Sequence, residues 1–258
     1  VGAMSEVLVV TEGATEQVVG RALWEKGILD RSLTPKLPSR EEVPREGYYN
    51  VLQSLLNSEE EGRGLLAPLP TSHRQNLVFL MFDQEGLPDP ASRARNIQEH
   101  FNECGRLHGN SFWQQFTFSQ IRGWHNVFVR SFERSKIVLH IADAPGPDRN
   151  KDFDGYILRL LNDPKVGLQI VTNLINTSQD KVRELFLKAR CEIPQIMHRN
   201  NWSFRRSKHW LYAYITVFQR AYSHAFFAEE VVKAAPEGAL RKTFASLIAA
   251  WEILKEGQ

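Results

Sequence analysis

Apolar residues fall in short bursts separated by polar, glycine- and proline-bearing stretches, and the bursts follow two periods. Residues 7–10, 77–82 and 136–142 are continuous runs rich in Val, Ile, Leu and Phe, the pattern of strands buried on both faces. Residues 17–24 space Val18, Val19, Ala22 and Leu23 along one helix face. Residues 48–56 do the same with Tyr48, Val51, Leu52, Leu55 and Leu56. A short strand at 33–37 sits within a proline-bearing loop, and 58–74 reads as a surface connection. Pro88 and Pro90 bracket Asp89 ahead of a helix over 91–104, with Ile97 and Phe101 inward. The interval 112–132 is dense in aromatics and its period does not divide it into strand or helix. Asp152 or Asp154 caps a helix through 156–161, and 168–171 reads as a further short strand. From residue 178 every signal is helical: Val182, Leu185 and Phe186, a long pattern over 208–233, and another over 240–254.

Strands alternating with helices predict an α/β fold, with a mostly parallel four- to five-stranded sheet flanked by helices over residues 4–175. Residues 176–258 form an all-helical C-terminal part, either covering that sheet or standing as a separate subdomain. Residues 1–3 ahead of Met4 read as a cloning remnant and stay outside this fold.

Composition narrows the class only modestly. The 258 residues, 42% hydrophobic and 24% charged, are those of an ordinary globular chain with a sizeable core. No apolar run approaches the ~20 residues of a membrane span, and no signal peptide is seen, so a cytoplasmic protein without membrane contact is expected. Cys104 and Cys191 are isolated, which argues against zinc and against a disulfide framework. A net charge of +2 makes any nucleic-acid surface a local matter. There is no nucleophile elbow and no phosphate-cradling glycine loop.

The informative feature is where the buried runs stop. Each ends on acid: Glu12, Asp83 with Glu85, and Asp143 with Asp148. In a parallel sheet these positions share one edge, where open α/β folds place their sites. Any one of them alone is an ordinary cap or solvated turn. Glu12 and Asp83 together, each hard against a hydrophobic run and close to glycine, point to function. Gathered carboxylates repel, and oxygen ligands of this kind suit Mg²⁺ or Mn²⁺.

Leu8-Val-Val-Thr-Glu12-Gly13 with its following helix, and Phe79-Leu-Met-Phe-Asp83-Gln84-Glu85, resemble the two signature elements of Toprim domains. That fold is shared by topoisomerases, primases and the overcoming-lysogenization-defect nucleases. Glu12-Gly-Ala-Thr-Glu16 is similar to the Glu-Gly-x-Thr-Glu of Toprim-like proteins from bacteria. The resemblance covers at most the first ~150 residues. It implies a general acid/base or metal-bound role for Glu12 and Mg²⁺ ligation by Asp83 and Glu85. Glu85 departs from the family, which more often has Asp there. Asp143 joins these as a metal ligand, with Glu16 and Asp148 as supporting carboxylates. The implied activity is metal-assisted phosphodiester chemistry on DNA or RNA, most plainly a nuclease of a bacterial defence or mobile-element system. No sequence feature nominates a tyrosine nucleophile for topoisomerase chemistry, and no nucleotide-binding element points to a primase.

Residues 199–210 combine four positive charges, no acid and three aromatics. Arg199, Trp202, Arg205, Arg206 and Lys208 suit a phosphate backbone with bases stacked on rings. The competing reading is a solvated basic turn leading into a helix. Leu211, Tyr214, Ile215, Phe218, Tyr222, Ala225, Phe226 and Val232 then form a stripe expected to be core or an oligomer interface. His140, His209 and His224 are expected to be packing histidines. The alternative to an enzyme is a catalytically inactive Toprim-like module whose helical half binds a partner protein.

Overall fold

The first apolar run forms β1 (Ser5–Thr11) and passes through Glu12-Gly13 into α1 (Ala14–Glu25). The computed structural model describes residues 5–39, 47–56, 64–72, 74–144, 151–201, 207–219 and 223–256. An edge strand β2 (Leu33–Lys36) and α2 (Tyr48–Leu55) precede β3 (Asn76–Asp83). Next comes α3 (Pro90–Leu107), whose Asp89 cap accepts from Ser92 N at 2.7 Å. The aromatic interval holds the short helix α4 (Ser111–Gln114), β4 (Ser119–Gln120) and β5 (Val127–Phe132). β6 (Ser135–Ala142) closes the strand set. Helices follow: α5 (Phe153–Asn162), α6 (Pro164–Leu174), α7 (Gln179–Leu187), α8 (Ile193–Arg199) and α9 (Ser207–Val217). The chain ends through α10 (His224–Ala234), α11 (Glu237–Thr243) and α12 (Ala245–Ile253).

The sheet has six strands in the order β2-β1-β3-β6-β5-β4, one or two more than expected. The first four are mutually parallel, and β5 and β4 add on antiparallel. The extra strands, the two-residue β4 and the six-residue β5, come from the aromatic interval 112–132. Residues 168–171, expected as a strand, lie in α6. Asp163 caps that helix, accepting from Lys165 N and Val166 N at 3.0 Å, and Pro164 is its first residue. A four-residue apolar run reads equally as strand or buried helix, and here the Asp-Pro start signal decides.

Side chains alternate across the central strands into two cores. Val7, Val9, Phe79, Met81 and Val138 face α1 and the C-terminal helices. Val10, Leu80, Phe82, Leu139 and Ile141 face α2 and α3. The helices after residue 175 are therefore one layer of the sheet's own core. Trp251 of α12 stacks edge-on against Phe79 at 5.4 Å, and its Nε1 donates to Asp30 O at 3.1 Å. His140 is the packing histidine expected. It is fully buried between Asn126 and Ser246, with its Nε2 3.0 Å from Ser246 Oγ, which ties β6 to α12. Among the described residues, no helix is long and apolar enough to cross a membrane.

The helical pattern expected over 208–233 is two helices, α9 and α10. Leu211, Tyr214, Ile215, Phe218, Ala225 and Val232 are buried as expected, whereas Phe226 is exposed and Phe227 takes the inward place. The break after Val217 resets the helical phase, so one stripe cannot run through both helices. Tyr222 lies outside the described residues.

A shared core has a measurable consequence. Trp251→Ala should destabilise the whole chain by about 3–5 kcal/mol, the range for truncating a buried aromatic, in a single unfolding transition seen by both fluorescence and circular dichroism. Two resolved transitions would show that the C-terminal helices fold apart from the sheet.

Candidate active site at the carboxyl ends of the parallel strands

Because β1, β3 and β6 run parallel, their carboxyl ends share one edge, with Thr11 beside Met81 and Asp83 beside Ala142. Glu12 N continues the ladder by donating to Met81 O at 3.1 Å, which sets Glu12 next to the end of β3. A cleft of about 420 Å³ opens there. Four expected side chains line it together: Glu12, Glu16, Asp83 and Glu85. Lys208 lines it too, from the first turn of α9.

The structure separates other expected residues from the cleft. Asp143, expected as a metal ligand, stands one strand over and is not part of the lining. Its carboxylate accepts from Tyr156 Oη at 2.8 Å and pairs with His125 Nε2 at 2.9 Å. Arg199 is exposed at the end of α8, also away from the lining. Asp148, Trp202, Arg205 and Arg206 lie outside the described residues.

Several lining or supporting groups were not assigned a site role from the sequence. Asp152 and Asp154 line the cleft at the start of α5. Asp152 caps that helix, accepting from Gly155 N at 2.7 Å. Asp154 Oδ1 accepts from Thr15 Oγ1 at 3.1 Å, and its Oδ2 faces His224 Nε2 at 3.9 Å. His224 is thus a cleft residue rather than a packing one. The Asp-x-Asp spacing after an acid-rich loop was the available signal. Arg93 carried none, since the 91–104 segment shows in sequence only its apolar face.

Arg93 is the organiser of the inner wall. It is buried, donates through Nε to Asp83 O at 2.8 Å, and sets Nη2 at 3.3 and 3.2 Å from the two Glu12 oxygens. Its guanidinium lies 3.5 Å over the Tyr48 ring. Glu12 Oε2 also accepts from Asp83 N at 3.1 Å. Asp83 Oδ1 accepts from Phe153 N at 3.0 Å. Gly13 gives the carboxyl of Glu16 its room, because a Cβ there would stand 2.9 Å from Glu16 Oε2.

Acids outnumber bases here, and burial raises the cost of charge. Glu16 is 3% exposed, and burial, reinforced by the charges of Glu12 and Asp154, pushes its carboxyl up to about 8. Burial and the charges of Glu16 and Glu12 raise Asp83 well above the usual carboxylate range. Burial raises Glu12 as well, with Arg93 opposing. Asp154 is raised by burial against the pull of His224, Thr15 and Lys208.

A hard divalent cation fits this donor set in chemistry: the lining is all oxygen on the acid side, and Glu16 Oε2 is buried with no hydrogen-bond partner. Among the described residues, no three His, Cys, Asp or Glu side chains are arranged so as to hold a metal ion.

Stability should fall as pH rises through this site. Between the unfolded glutamate value near 4.3 and the folded Glu16 value of about 8, the folded chain keeps a proton that the unfolded chain releases. The slope for one such group reaches about 1.4 kcal/mol per pH unit. Urea unfolding from about pH 5 to about pH 8 should show that decline in the wild type and a flatter profile in Glu16→Gln; a flat wild-type profile would refute it. Arg93→Ala, which leaves Glu12 buried and unpaired, should cost about 3–5 kcal/mol at neutral pH, read as a shift in the urea midpoint. The loss should shrink at acid pH as Glu12 takes up a proton.

No protein-family model, curated protein or solved structure matches this chain, so the chemistry of the cleft is read from its own residues.

Proposed function

We propose that the protein is a Toprim-like hydrolase of nucleic-acid phosphodiester bonds that depends on Mg²⁺ or Mn²⁺, a cytoplasmic nuclease of a bacterial defence or mobile-element system. The observation that carries this reading is the convergence, in one cleft at the carboxyl ends of β1 and β3, of Glu12, Glu16, Asp83, Glu85 and Asp154 with Lys208 and His224. Asp83 and Asp154, with Glu85 beside them on the wall, would offer oxygen ligands to a divalent cation, which would offset their charge and polarise a phosphoryl oxygen.

The chain's own residues have separable tasks. Lys208 and His224 receive the phosphate oxygens and bring the anion toward an otherwise acidic wall. Arg93 and the Phe153 amide hold Asp83 in place. Glu12, paired to Arg93, keeps the ends of β1 and β3 together. Glu16, whose burial keeps its proton near neutral pH, is the group suited to hand a proton to a leaving oxygen.

A second reading, an inactive module that binds a partner protein through its helical half, is favoured by one observation. Both Glu12 oxygens are already taken by Arg93, as in a purely structural pair.

A cleavage assay separates the two. Wild type with Mg²⁺ or Mn²⁺ should cut DNA or RNA, and EDTA should abolish cutting. Glu16→Gln and Asp83→Asn should each lower the rate by about 10²-fold or more, the scale of a lost proton-transfer group. Mn²⁺ should raise the wild type's unfolding midpoint and leave Asp83→Asn unmoved. No metal-dependent cutting together with no Mn²⁺ stabilisation would sink the hydrolase reading.

A further inference from the structure

We infer that the strand entering this cleft is unpaired, and that the rim formed by Lys208, Tyr212 and His224 reads it by gripping a phosphate and stacking a base. The inference rests on the cleft being a nucleic-acid site and adds the form of nucleic acid it accepts.

Depth is the first constraint. Glu12 and Asp154 are each 8% exposed and Glu16 less, so the phosphate must descend into a space of about 420 Å³ to meet them. That volume is of the size that encloses one small ligand. It admits a phosphate and a nucleoside or two. In a duplex the complementary strand would have to enter the lining, which includes Gly47 ahead of α2 on one side and Lys208 of α9 and His224 of α10 on the other.

The rim supplies the second. Lys208 and Tyr212 are four residues apart on α9, so their side chains lie one above the other on the same helix face, roughly 5–6 Å apart. Lys208 lines the cleft, and Tyr212, one turn along α9, is 42% exposed. His224, on the cleft wall, holds the tyrosine in place. The two rings meet edge-to-face at 5.8 Å, and Tyr212 Oη lies 3.3 Å from His224 Nδ1. A cation at the cleft and a braced, exposed ring one turn away match the alternation of phosphate and base along a single strand. Base faces are free to stack only when the strand is unpaired.

Fluorescence anisotropy tests this, with Ca²⁺ replacing Mg²⁺ so that binding is read without cutting. The probes are labelled oligo-dT, oligo-U and a DNA duplex of the same length. Either single strand should bind at least about tenfold tighter than the duplex, and the two arms tell DNA from RNA. Tyr212→Ala should weaken single-strand binding by about 5- to 100-fold. Tyr212→Phe, which keeps the ring, should stay near wild type, and unchanged urea midpoints confirm that both variants fold. Equal or tighter duplex binding, or a Tyr212→Ala variant that binds like wild type, overturns the inference. Cutting confined to duplexes would overturn it while leaving the hydrolase reading intact. Single-strand binding with no metal-dependent cutting would do the reverse.

Discussion

The carboxylate of Glu12 joins three parts of the fold at once. It accepts from the backbone of Asp83 at the end of the neighbouring strand and takes the guanidinium of Arg93 from α3. Arg93 in turn lies over Tyr48 of α2 and holds the Asp83 carbonyl. A buried charge is tolerated only when paired and hydrogen-bonded, and this one is. The result is a fixed distance between the ends of β1 and β3, against which every other group in the cleft is set.

That arrangement leaves the site electrostatically unbalanced. One arginine answers Glu12, but Glu16, Asp83 and Asp154 remain behind it in a low-dielectric wall, and their raised proton affinities express the deficit. Structural acids are usually relieved by a nearby base or by solvent. Here Lys208 and His224, from helices far along the chain, also line the cleft, with His224 Nε2 3.9 Å from Asp154 Oδ2. On the proposed reading, a bound positive charge would answer these acids and Lys208 would meet an arriving anion.

The same layering explains why the C-terminal helices matter to the site and not only to the core. α12 is packed on Phe79 and pinned to β6 through Ser246 and His140, while α10 lies along α1. Lys208, Tyr212 and His224 are carried on the layer so anchored. On α10, His224 faces Asp154 while Phe227, three residues on, remains in the core.

Much of this was legible in the residues. Continuous apolar runs ending on acid at Glu12 and Asp83 specify buried parallel strands and one shared edge, because a strand buried on both faces has few other places to be. Tertiary structure decided what local pattern leaves open. Residues 168–171 lie in helix because Asp163 and Pro164 start it ahead of them, and β4, only two residues long, carries no period to read. Asp143 fell out of the cleft because Tyr156 and His125 reached it first, a contact between distant segments. Asp154 and His224 entered the cleft, and Arg93 came to lie behind Glu12, for the same kind of reason. The acids at the strand ends were written in the order of the chain, whereas the bases that face them were chosen by how the helices pack.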